Sequence, residues 1–500
     1  MTLPKKALCI FTLLTLPALC ATSTPSLAAS KKDQVILRVS SIQPGLSSQV
    51  EDYVTRCTTA QPTIYARLFG RARLLLNGHS IRGGGKRTLS LRPNQRVVLS
   101  TQVRVRTKTK RGVRLRWKNN EYSIRCAPSN LPAYLASGKL PSSIPFLAIS
   151  SNTIGTGSYP YAVVVDRNGT PVWWKKIPDG EQAADVKYLP GGKIGFWHGA
   201  LTSDRAMGPF DIFGLDGKLQ TRLLTSGEQG DQHETLPAKD GTFYRLITSI
   251  RPAVDFSSLG ITPLHAAQDN QIQQLDSHSK LLWSWSSQDH ILPEESGFWV
   301  NLLNSVFPQN PFDLVHFNSI EEDGKGGLII SSRHTDAIYR INRADGTISW
   351  KLGGTHTDKS LTILGDDSYA PYHLAGQHDA RLLPDGTISV FDNGSGRGQQ
   401  PRILRWRINT QNKTAQIVES FSDPQVTFSA AGGSARRMGD GSWVISWSNK
   451  PLIKAYNHLH QTIFTLQLLN HQPSYRAAPI TNLQRSQLIR GMDQAAKGSH

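Results

Sequence analysis

The sequence predicts an all-β protein, a six-bladed β-propeller preceded by a small β-sandwich domain. Three observations support this fold class. From residue 151 onward the chain consists of short strands and Asp-Gly or Asn-Gly turns, with almost no helical periodicity. A unit of four such strands recurs along this region. The excess positive charge is confined to the residues before it, which indicates a separate domain.

The first residues predict a secretory signal peptide that spans residues 1–28. Lys5 and Lys6 precede an apolar run that extends from Ala7 to Cys20, and small residues follow at Ser26-Leu27-Ala28-Ala29. This order is typical of a cleavable signal. No later stretch reaches about 18 uninterrupted apolar residues, so we expect no transmembrane helix. The sequence therefore predicts a secreted or periplasmic protein.

Two cysteines, Cys57 and Cys126, remain after the signal peptide. In an oxidising compartment two thiols most simply form one disulfide, and two separately buried thiols are the alternative. Because the sequence has no CxxC pair and no cluster of Cys and His residues, a structural zinc site is not expected.

The N-terminal region is strongly basic. Residues 31–150 hold 22 Lys and Arg residues against 4 Asp and Glu residues, whereas residues 151–500 hold 32 against 33. We therefore expect a basic domain at residues 31–145. Its surface could attract an acidic polymer or an anionic envelope surface, or it could simply be a solvated face. Nucleic acid is disfavoured as a partner by export and by the lack of interleaved aromatic residues.

Strand alternation in the basic region predicts a β-sandwich with a long hairpin. Val103–Lys108 and Val113–Trp117 each alternate with a period of two, and Lys110-Arg111-Gly112 lies between them. Two alternating runs around a glycine-containing turn predict an antiparallel hairpin. We expect one of its faces to be apolar and the other cationic.

The recurring unit of the C-terminal region predicts propeller blades. Each copy has a strand, a Pro/Asp-Gly turn, two further strands, a second turn and a Trp-bearing fourth strand. The copies begin near Asp185, His233, His316, His378 and Gly433. Four strands at a spacing of roughly 40–55 residues are typical of a blade.

The blade count depends on how the ring closes. Tyr161–Trp174 predicts the outer half of a sixth blade, which would be completed by a strand near Phe146–Ser150 or by a C-terminal strand. We expect six blades, with five or seven as alternatives. The propeller would then span residues 146–470, followed by a C-terminal tail at residues 471–500.

Three histidines occupy the same position in three copies. His233, His316 and His378 each lie eight residues before the glycine of the first turn, namely Gly241, Gly324 and Gly386. Equal offsets indicate equivalent places on the first strands, which line the channel of a propeller. We therefore expect the imidazoles to face one cavity. The equivalent position in a further copy is Gly433, which would leave room there.

Polar residues near these histidines suit a tetrahedral oxyanion. Asn318 lies two residues after His316, and Arg333 ends the following strand. Arginine supplies a fork of donors for sulfate or phosphate oxygens, and a neutral imidazole is a competent nucleophile. Histidines that only bond to neighbouring backbone are one alternative. A tri-histidine metal site is another, although Arg333 would repel the cation.

Two blocks of sequence resemble the aryl sulfotransferase family. The first contains Asp313–Ile320, Ser331-Ser332-Arg333 and Ile348–Gly354, and the second contains Gln377–Gly386 followed by Val390–Gly394. The region from Tyr122–Cys126 to Val163–Trp174 is similar to the branch of the family that carries an N-terminal β-sandwich.

This resemblance implies an exported propeller enzyme that moves a sulfuryl group from an aryl sulfate to a phenol, without a nucleotide donor and without a cofactor. It implies that His378 is the nucleophile and becomes sulfohistidine. His316, Asn318 and Arg333 would hold the sulfuryl oxygens, and His233 would act as acid or base at the phenolic oxygen. A non-catalytic propeller that binds an anionic or sulfated ligand, and a metal- or quinone-dependent oxidoreductase, are the alternatives.

Overall fold

The structure is a computed structural model. It describes residues 33–498 except 82, 110–111, 153–159, 202–205, 228–229, 366–369, 371, 449 and 470–472. The predicted signal peptide, residues 1–28, lies outside the described residues. The chain is 53% strand and 8% helix, which confirms the all-β class.

The basic N-terminal region forms two sheets that enclose one apolar core. Its strands are β1 (Gln34–Val39), β2 (Asp52–Thr55), β3 (Thr63–Phe69), β4 (Arg73–Leu76), β5 (His79–Ile81), β6 (Gly85–Thr88), β7 (Arg96–Thr109) and β8 (Gly112–Cys126). One sheet has the order β1-β3-β6 and the other has the order β2-β8-β7-β4-β5. Ile64 from the first sheet packs in the same cluster as Leu99 and Ile124 from the second.

The predicted disulfide is confirmed. Cys57 and Cys126 are bonded, with their Cα atoms 5.4 Å apart, and both are buried. Cys57 follows β2, while Cys126 ends the neighbouring strand β8 and pairs with Thr55. The bond therefore joins two chain segments that already lie side by side.

The predicted hairpin is confirmed, since β7 and β8 pair antiparallel along their whole length. The predicted separation of its two faces is wrong. Arg104 lies opposite Trp117 and Lys108 lies opposite Val113, and side chains directly opposite one another share a face. Each face therefore carries both cations and apolar groups. Alternation within a strand does not determine the register between strands, and a shift of one residue exchanges the faces.

The remaining strands belong to sheets made mainly of buried apolar segments joined by tight turns. In chain order they are β9 (Tyr134–Gly138), β10 (Phe146–Ser151), β11 (Tyr161–Asp166), β12 (Pro171–Lys176), β13 (Gln182–Leu189), β14 (Lys193–Leu201), β15 (Ala206–Met207), β16 (Phe210–Gly214), β17 (Leu219–Leu223), β18 (Gly230–Pro237), β19 (Phe243–Phe256), β20 (Ile261–Leu275), β21 (Leu281–Ser286), β22 (Phe312–Asp313), β23 (Phe317–Glu322), β24 (Gly327–Ser332), β25 (Ala337–Asn342), β26 (Ile348–Gly353), β27 (Thr362–Leu364), β28 (His378–Leu382), β29 (Ile388–Asp392), β30 (Arg402–Asn409), β31 (Thr414–Phe421), β32 (Ser434–Arg437), β33 (Trp443–Ser446), β34 (Leu452–Tyr456), β35 (Thr462–Leu468) and β36 (Ala477–Ile480).

Most of these strands pair into successive antiparallel groups of four. From the first strand outward, the groups are β36-β10-β11-β12, β13-β14-β16-β17, β18-β19-β20-β21, β23-β24-β25-β26, β28-β29-β30-β31 and β32-β33-β34-β35. The first strand of each group contacts the first strand of the next. These contacts run β36, β13, β18, β23, β28, β32 and back to β36, so the order is cyclic.

Strands on both sides of the predicted propeller, residues 146–470, take part in these sheets. Residues 471–500, predicted to be a tail, contain β36, which pairs with β10 so that Phe146 lies opposite Ile480. The region that we assigned to the basic domain, residues 31–145, contains β9, which pairs with β35. The sheets therefore extend past both residue 145 and residue 470.

Few helices interrupt the strands. The described α-helices are α1 (Gly297–Val306), which lies between β21 and β22, and α2 (Arg485–Lys497). Short 3-10 helices span Ser257–Leu259, Ser287–Asp289, Pro293–Ser296 and Arg333–Thr335. Among the described residues, no helix has the length and apolar character needed to cross a membrane. Helix α2 joins the domains, because Asp493 pairs with Arg125 of the basic domain at 2.7 Å.

Candidate active site

Three neighbouring first strands carry the three predicted histidines. His233 lies within β18, His316 directly precedes β23, and His378 begins β28. The pairing register of each strand shifts close to its histidine. Such β-bulges redirect side chains, and His316 also adopts a left-handed backbone with φ +49°. The local backbone thus departs from regular strand geometry where these side chains are placed.

The rings of His233 and His316 are in contact. Their centroids are 4.7 Å apart and their planes meet at 70°. The Tyr475 ring, from the segment just before β36, lies 5.7 Å from His233. Residues far apart in the chain therefore share one end of the ring of first strands.

An aspartate orients each of these two imidazoles. His233 Nδ1 lies 2.5 Å from Asp231 Oδ1, and His316 Nδ1 lies 2.5 Å from Asp313 Oδ2. A carboxylate only accepts hydrogen bonds, so Nδ1 of each ring carries a proton, and in the neutral form of either ring Nε2 holds the lone pair. The predicted site omits both aspartates. Their signal is local, an acid two or three residues before each histidine.

His334 is a further imidazole that was not predicted. Its ring centroid lies 4.6 Å from that of His316, and its Nδ1 donates to the Asp313 carbonyl oxygen at 2.6 Å. Burial holds the pKa of His334 well below its usual value, and the positive charges of His316 and Arg333 lower it further. His334 is therefore neutral, with Nε2 as an acceptor for Nη1 of Arg333.

Arg333 lies against these imidazoles. Its guanidinium stacks on Trp299, with Cζ 4.3 Å from the ring centroid, and Nη2 donates to the Ala430 carbonyl oxygen at 3.1 Å. Within the described residues its buried Nε has no hydrogen-bond partner. Burial lowers the pKa of Arg333 to about 10, so that the side chain still carries a positive charge at neutral pH.

His378 is almost fully enclosed, with 1% of its surface exposed. Its Nδ1 lies 2.8 Å from Asn393 Oδ1 and 3.0 Å from the Gly376 carbonyl oxygen, both of which accept. Its Nε2 accepts the N–H of Gly432 at 3.1 Å. Burial holds the pKa of His378 well below its usual value, and the charges of Arg333, His316 and His233 act in the same direction. The ring is therefore neutral, with its lone pair on Nε2.

Asn318 serves the backbone around His378. Its Nδ2 donates to the Gln377 carbonyl oxygen at 2.9 Å, and its Oδ1 accepts the N–H of Asp379 at 3.2 Å. The side chain is fully buried. Asn318 thus holds the residues on both sides of His378, whereas the sequence predicts that it holds a ligand.

The expected space at Gly433 is filled. A Cβ atom on this residue would lie 2.6 Å from the Phe391 ring, and its φ of +106° favours glycine. The prediction that Gly433 leaves room in the cavity is therefore wrong. Glycine is required here because an aromatic side chain from β29 packs against the backbone.

A buried ion network lies between the first strands. Arg476 Nη1 pairs with Asp185 Oδ1 at 3.0 Å and with Glu234 Oε2 at 2.9 Å. The surrounding cations hold the pKa of Glu234 well below its usual value, against the opposing effect of burial. All six first strands, or the residues next to them, contribute to this network, whose members are Asp185, Lys187, Glu234, Glu321, Asp379, Arg381, Arg436 and Arg476.

A family model described as Arylsulfotransferase (ASST) matches residues 214–468, just over half of the chain. The chain belongs to the arylsulfotransferase family. This confirms the resemblance seen in the sequence. The matched range includes His233, His316, Asn318, Arg333 and His378, whereas the basic N-terminal domain lies outside it. Membership supports a function of the aryl sulfotransferase type.

No curated protein matches the chain in sequence. Among solved structures, a protein of unknown function from Bacteroides caccae is 10% identical, with coverage of 69% of this chain and 99% of that chain and a TM-score of 0.43. A quinonprotein alcohol dehydrogenase-like protein from Bacteroides thetaiotaomicron is 10% identical, with coverage of 90% and 99% and a TM-score of 0.32. Apo AztD from Citrobacter koseri is 9% identical, with coverage of 71% and 100% and a TM-score of 0.31. These values carry no argument about function.

Proposed function

We propose that this protein transfers a sulfuryl group from an aryl sulfate to a phenol through a sulfohistidine on His378, without a nucleotide donor. The observation that carries the proposal is the contact between the rings of His233 and His316, at neighbouring strands of which β23 also contacts the strand that begins with His378. Arg333 lies beside them through its contact with His334. Neighbouring sheets thereby supply several imidazoles and one positive charge to this site. An anionic, tetrahedral substrate group suits such a site.

The scaffold that we infer is a six-bladed propeller, in which each four-stranded group is one blade. The cyclic contacts between first strands support it, as does the pairing of β36 with β10, which joins the two ends of the ring. The ion network between the first strands adds contacts across the centre. The Cys57–Cys126 disulfide supports an exported protein, because disulfides persist in oxidising compartments.

His378 is the proposed nucleophile because its Nε2 carries the lone pair of a neutral ring. In the first step Nε2 forms a bond to sulfur while the bond between sulfur and the aryl oxygen breaks, and the phenolate leaves. Nε2 accepts the Gly432 N–H in the free protein, so the attack must release that donor. The released N–H can then bond to a sulfuryl oxygen, where donors stabilise the transition state.

Arg333 is the proposed ligand of the sulfuryl oxygens. It is cationic at neutral pH, and its Nε is buried without a partner in the described part of the chain. A guanidinium offers several donors in a fixed plane, which matches the oxygens of a sulfuryl group. His316 lies beside it, while Asn318 positions His378 through the backbone on either side.

The two aspartate-bound imidazoles are the proposed acid and base. Nε2 of His233 or His316 can take the proton of the accepting phenol as that oxygen attacks sulfur and the bond from His378 to sulfur breaks. The same proton then neutralises the phenolate of the next donor. Each aspartate stabilises the imidazolium that forms between these steps.

The direct test is transfer from 4-nitrophenyl sulfate to phenol by the wild type and by His378→Ala. We expect the variant to lose transfer and to keep the wild-type circular dichroism spectrum. His278→Ala is the matched control, since His278 is exposed in a turn far from the site in the chain. Transfer by His378→Ala at the wild-type rate would refute the assignment of His378 as the nucleophile. Binding of the aryl sulfate without any exchange would favour a non-catalytic role.

A bound divalent cation is the second candidate. One ligand atom from each of Asp313, His316 and His334 lies within 4.8 Å of the others, a spacing that could hold a metal. Arg333 opposes it, because its guanidinium contacts the ring of His334 and would repel a cation bound there. Elemental analysis of the purified protein tests this candidate, and we expect transfer to persist after dialysis against a chelator.

A further inference from the structure

A cavity of about 360 Å³ lies beside the imidazoles and is not explained by the transfer step itself. One side of it is polar and includes His316, Arg333 and His334. The apolar part of the lining comes mainly from α1 and the residues that follow it. The cavity therefore has a reactive side and an apolar side, as pockets for small aromatic molecules do.

The apolar side is a stripe along one face of α1. Trp299, Leu302, Leu303 and Val306 follow the spacing i, i+3, i+4, i+7, which places them on one face of a helix, and all four line the cavity. Leu302 is 38% exposed and Val306 is 55% exposed, and so is the adjoining Phe307 at 55%. Clustered apolar side chains that stay exposed beside polar groups mark a binding surface.

This wall is fixed to the catalytic residues. Trp299 is buried, and its Nε1 donates to Asp336 Oδ1 at 3.0 Å, the same oxygen that accepts the N–H of Gly376 at 2.8 Å. Gly376 in turn accepts from His378. The Trp299 ring also stacks on Arg333 and on His334. Helix α1 is thus a wall that is linked to His378 by a chain of hydrogen bonds through Asp336 and Gly376.

We propose that this cavity binds the aromatic ring of the aryl sulfate and of the phenol, and that Leu302, Leu303, Val306 and Phe307 determine which ring sizes are accepted. This inference rests on the proposed function, because it places the phenolic oxygen toward His316 and Arg333. A cavity of roughly 150 Å³ can hold benzene. The larger space beside α1 therefore fits an aryl group of two fused rings.

The test uses a substitution that narrows the cavity and measures selectivity between two aryl sulfate donors. Val306→Trp places a large ring at an exposed position of the wall, and Val113→Trp, at a 60% exposed valine of the basic domain, is the matched control. The measurement is kcat/KM with phenyl sulfate and with 4-methylumbelliferyl sulfate as donors. We expect Val306→Trp to lower the value for the two-ring donor by about tenfold or more, a typical discrimination by an apolar pocket. The value for phenyl sulfate should change by less than that.

A binding measurement separates this inference from the proposed function. Calorimetric titration with 4-methylumbelliferone, a phenol that carries no sulfuryl group, reports occupation of the cavity without turnover. We expect binding by the wild type and by Val113→Trp, and weaker binding by Val306→Trp. If transfer occurs but Val306→Trp keeps both the selectivity and the affinity of the wild type, the proposed role of the α1 residues is refuted. The proposed transfer function is then unaffected. If binding follows the prediction and no donor supports transfer, the function is refuted and the wall stands.

Discussion

The rings of His233 and His316 meet edge to face 4.7 Å apart, and each donates its Nδ1 proton to its own aspartate. Because the Nδ1 atoms bond to Asp231 and Asp313, Nε2 is the nitrogen of each ring that exchanges a proton in the proposed mechanism. Burial is the main cause that lowers the pKa of His316. In the proposed mechanism these two imidazoles transfer protons, and the cation of Arg333 stabilises charge.

Asp313→Asn should lower kcat while KM changes little. An amide can donate as well as accept, so it no longer specifies the tautomer of His316, whose Nδ1 now bonds to Asp313 Oδ2. We expect a loss of about 10²- to 10⁴-fold in kcat, the usual contribution of a general acid or base. Steady-state kinetics with 4-nitrophenyl sulfate and phenol measures the effect. Asp358→Asn, at an exposed aspartate, is the control. Equal kinetics in both variants would contradict the proposed role of Asp313.

The acid limb of the pH–rate profile should lie below pH 6.5. His378 must be unprotonated to attack, and its pKa is held well below the usual value because the ring is buried beside Arg333 and His316. Activity should therefore be constant as pH falls through the usual histidine range, and it should decline only at lower pH. The dependence of kcat/KM on pH reports this group in the free protein. A limb centred above pH 7 would contradict the assignment.

Asn318→Ala should weaken both stability and transfer. The substitution removes the acceptor of the buried Asp379 N–H and the 2.9 Å donor of the Gln377 carbonyl, which keeps only the longer bond from Ser331 Oγ at 3.5 Å. Each buried group left without a partner costs about 1–3 kcal/mol. We expect the free energy of unfolding, measured with urea, to fall accordingly, and kcat to fall because His378 is less well positioned. Asn301→Ala, at an exposed asparagine of α1, should leave unfolding nearly unchanged.

Glu234→Gln should destabilise the ring of sheets. Glu234 pairs with Arg381 and Arg476, so neutralising it leaves buried cations without a full counter-charge. Removal of one partner of a buried pair costs about 3–5 kcal/mol. Since the pKa of Glu234 is lowered in the folded state, its contribution is present above the unfolded pKa of about 4.3 and is lost as pH falls through the folded pKa.

Thermal unfolding measures this loss. Glu51→Gln, at an exposed carboxylate of the basic domain, is the control and should keep the wild-type melting temperature. As pH falls from the unfolded pKa of about 4.3 toward the lower folded pKa, the wild type should progressively approach the variant, because the stabilising contribution of the charge is lost over this range. A melting temperature for Glu234→Gln equal to that of the wild type at pH 7 would show that the network contributes nothing to stability.

The repeating unit and the histidine register were accessible from the sequence because both are periodic. An offset of eight residues before a turn glycine indicates an equivalent strand position in every copy. The strands concerned, β18, β23 and β28, are neighbours in the structure. The two cysteines were predictable for another reason, since a pair of thiols has a single intramolecular pairing. These features depend only on residue positions within single segments of the chain.

Other features depend on contacts between segments and were therefore missed or mispredicted. The mixed faces of the hairpin follow from the pairing of Arg104 with Trp117, which alternation within one strand does not specify. The amide of Asn318 bonds to residues 59 and 61 positions away. The apolar stripe on α1 has a helical period but no counterpart in the other repeats. A comparison between repeats therefore does not reveal it.

The central claim is that His378 carries the sulfuryl group between donor and acceptor. The most direct measurement is mass spectrometry of peptides after the protein is mixed with excess 4-nitrophenyl sulfate in the absence of phenol. The peptides are kept at a pH where the nitrogen–sulfur bond of sulfohistidine survives. The account predicts a mass gain of one SO₃ group on the peptide that contains His378, a burst of one 4-nitrophenol per protein, and loss of the label when phenol is added. A burst without modification of His378, or a label on another residue that phenol removes at the rate of turnover, would contradict it.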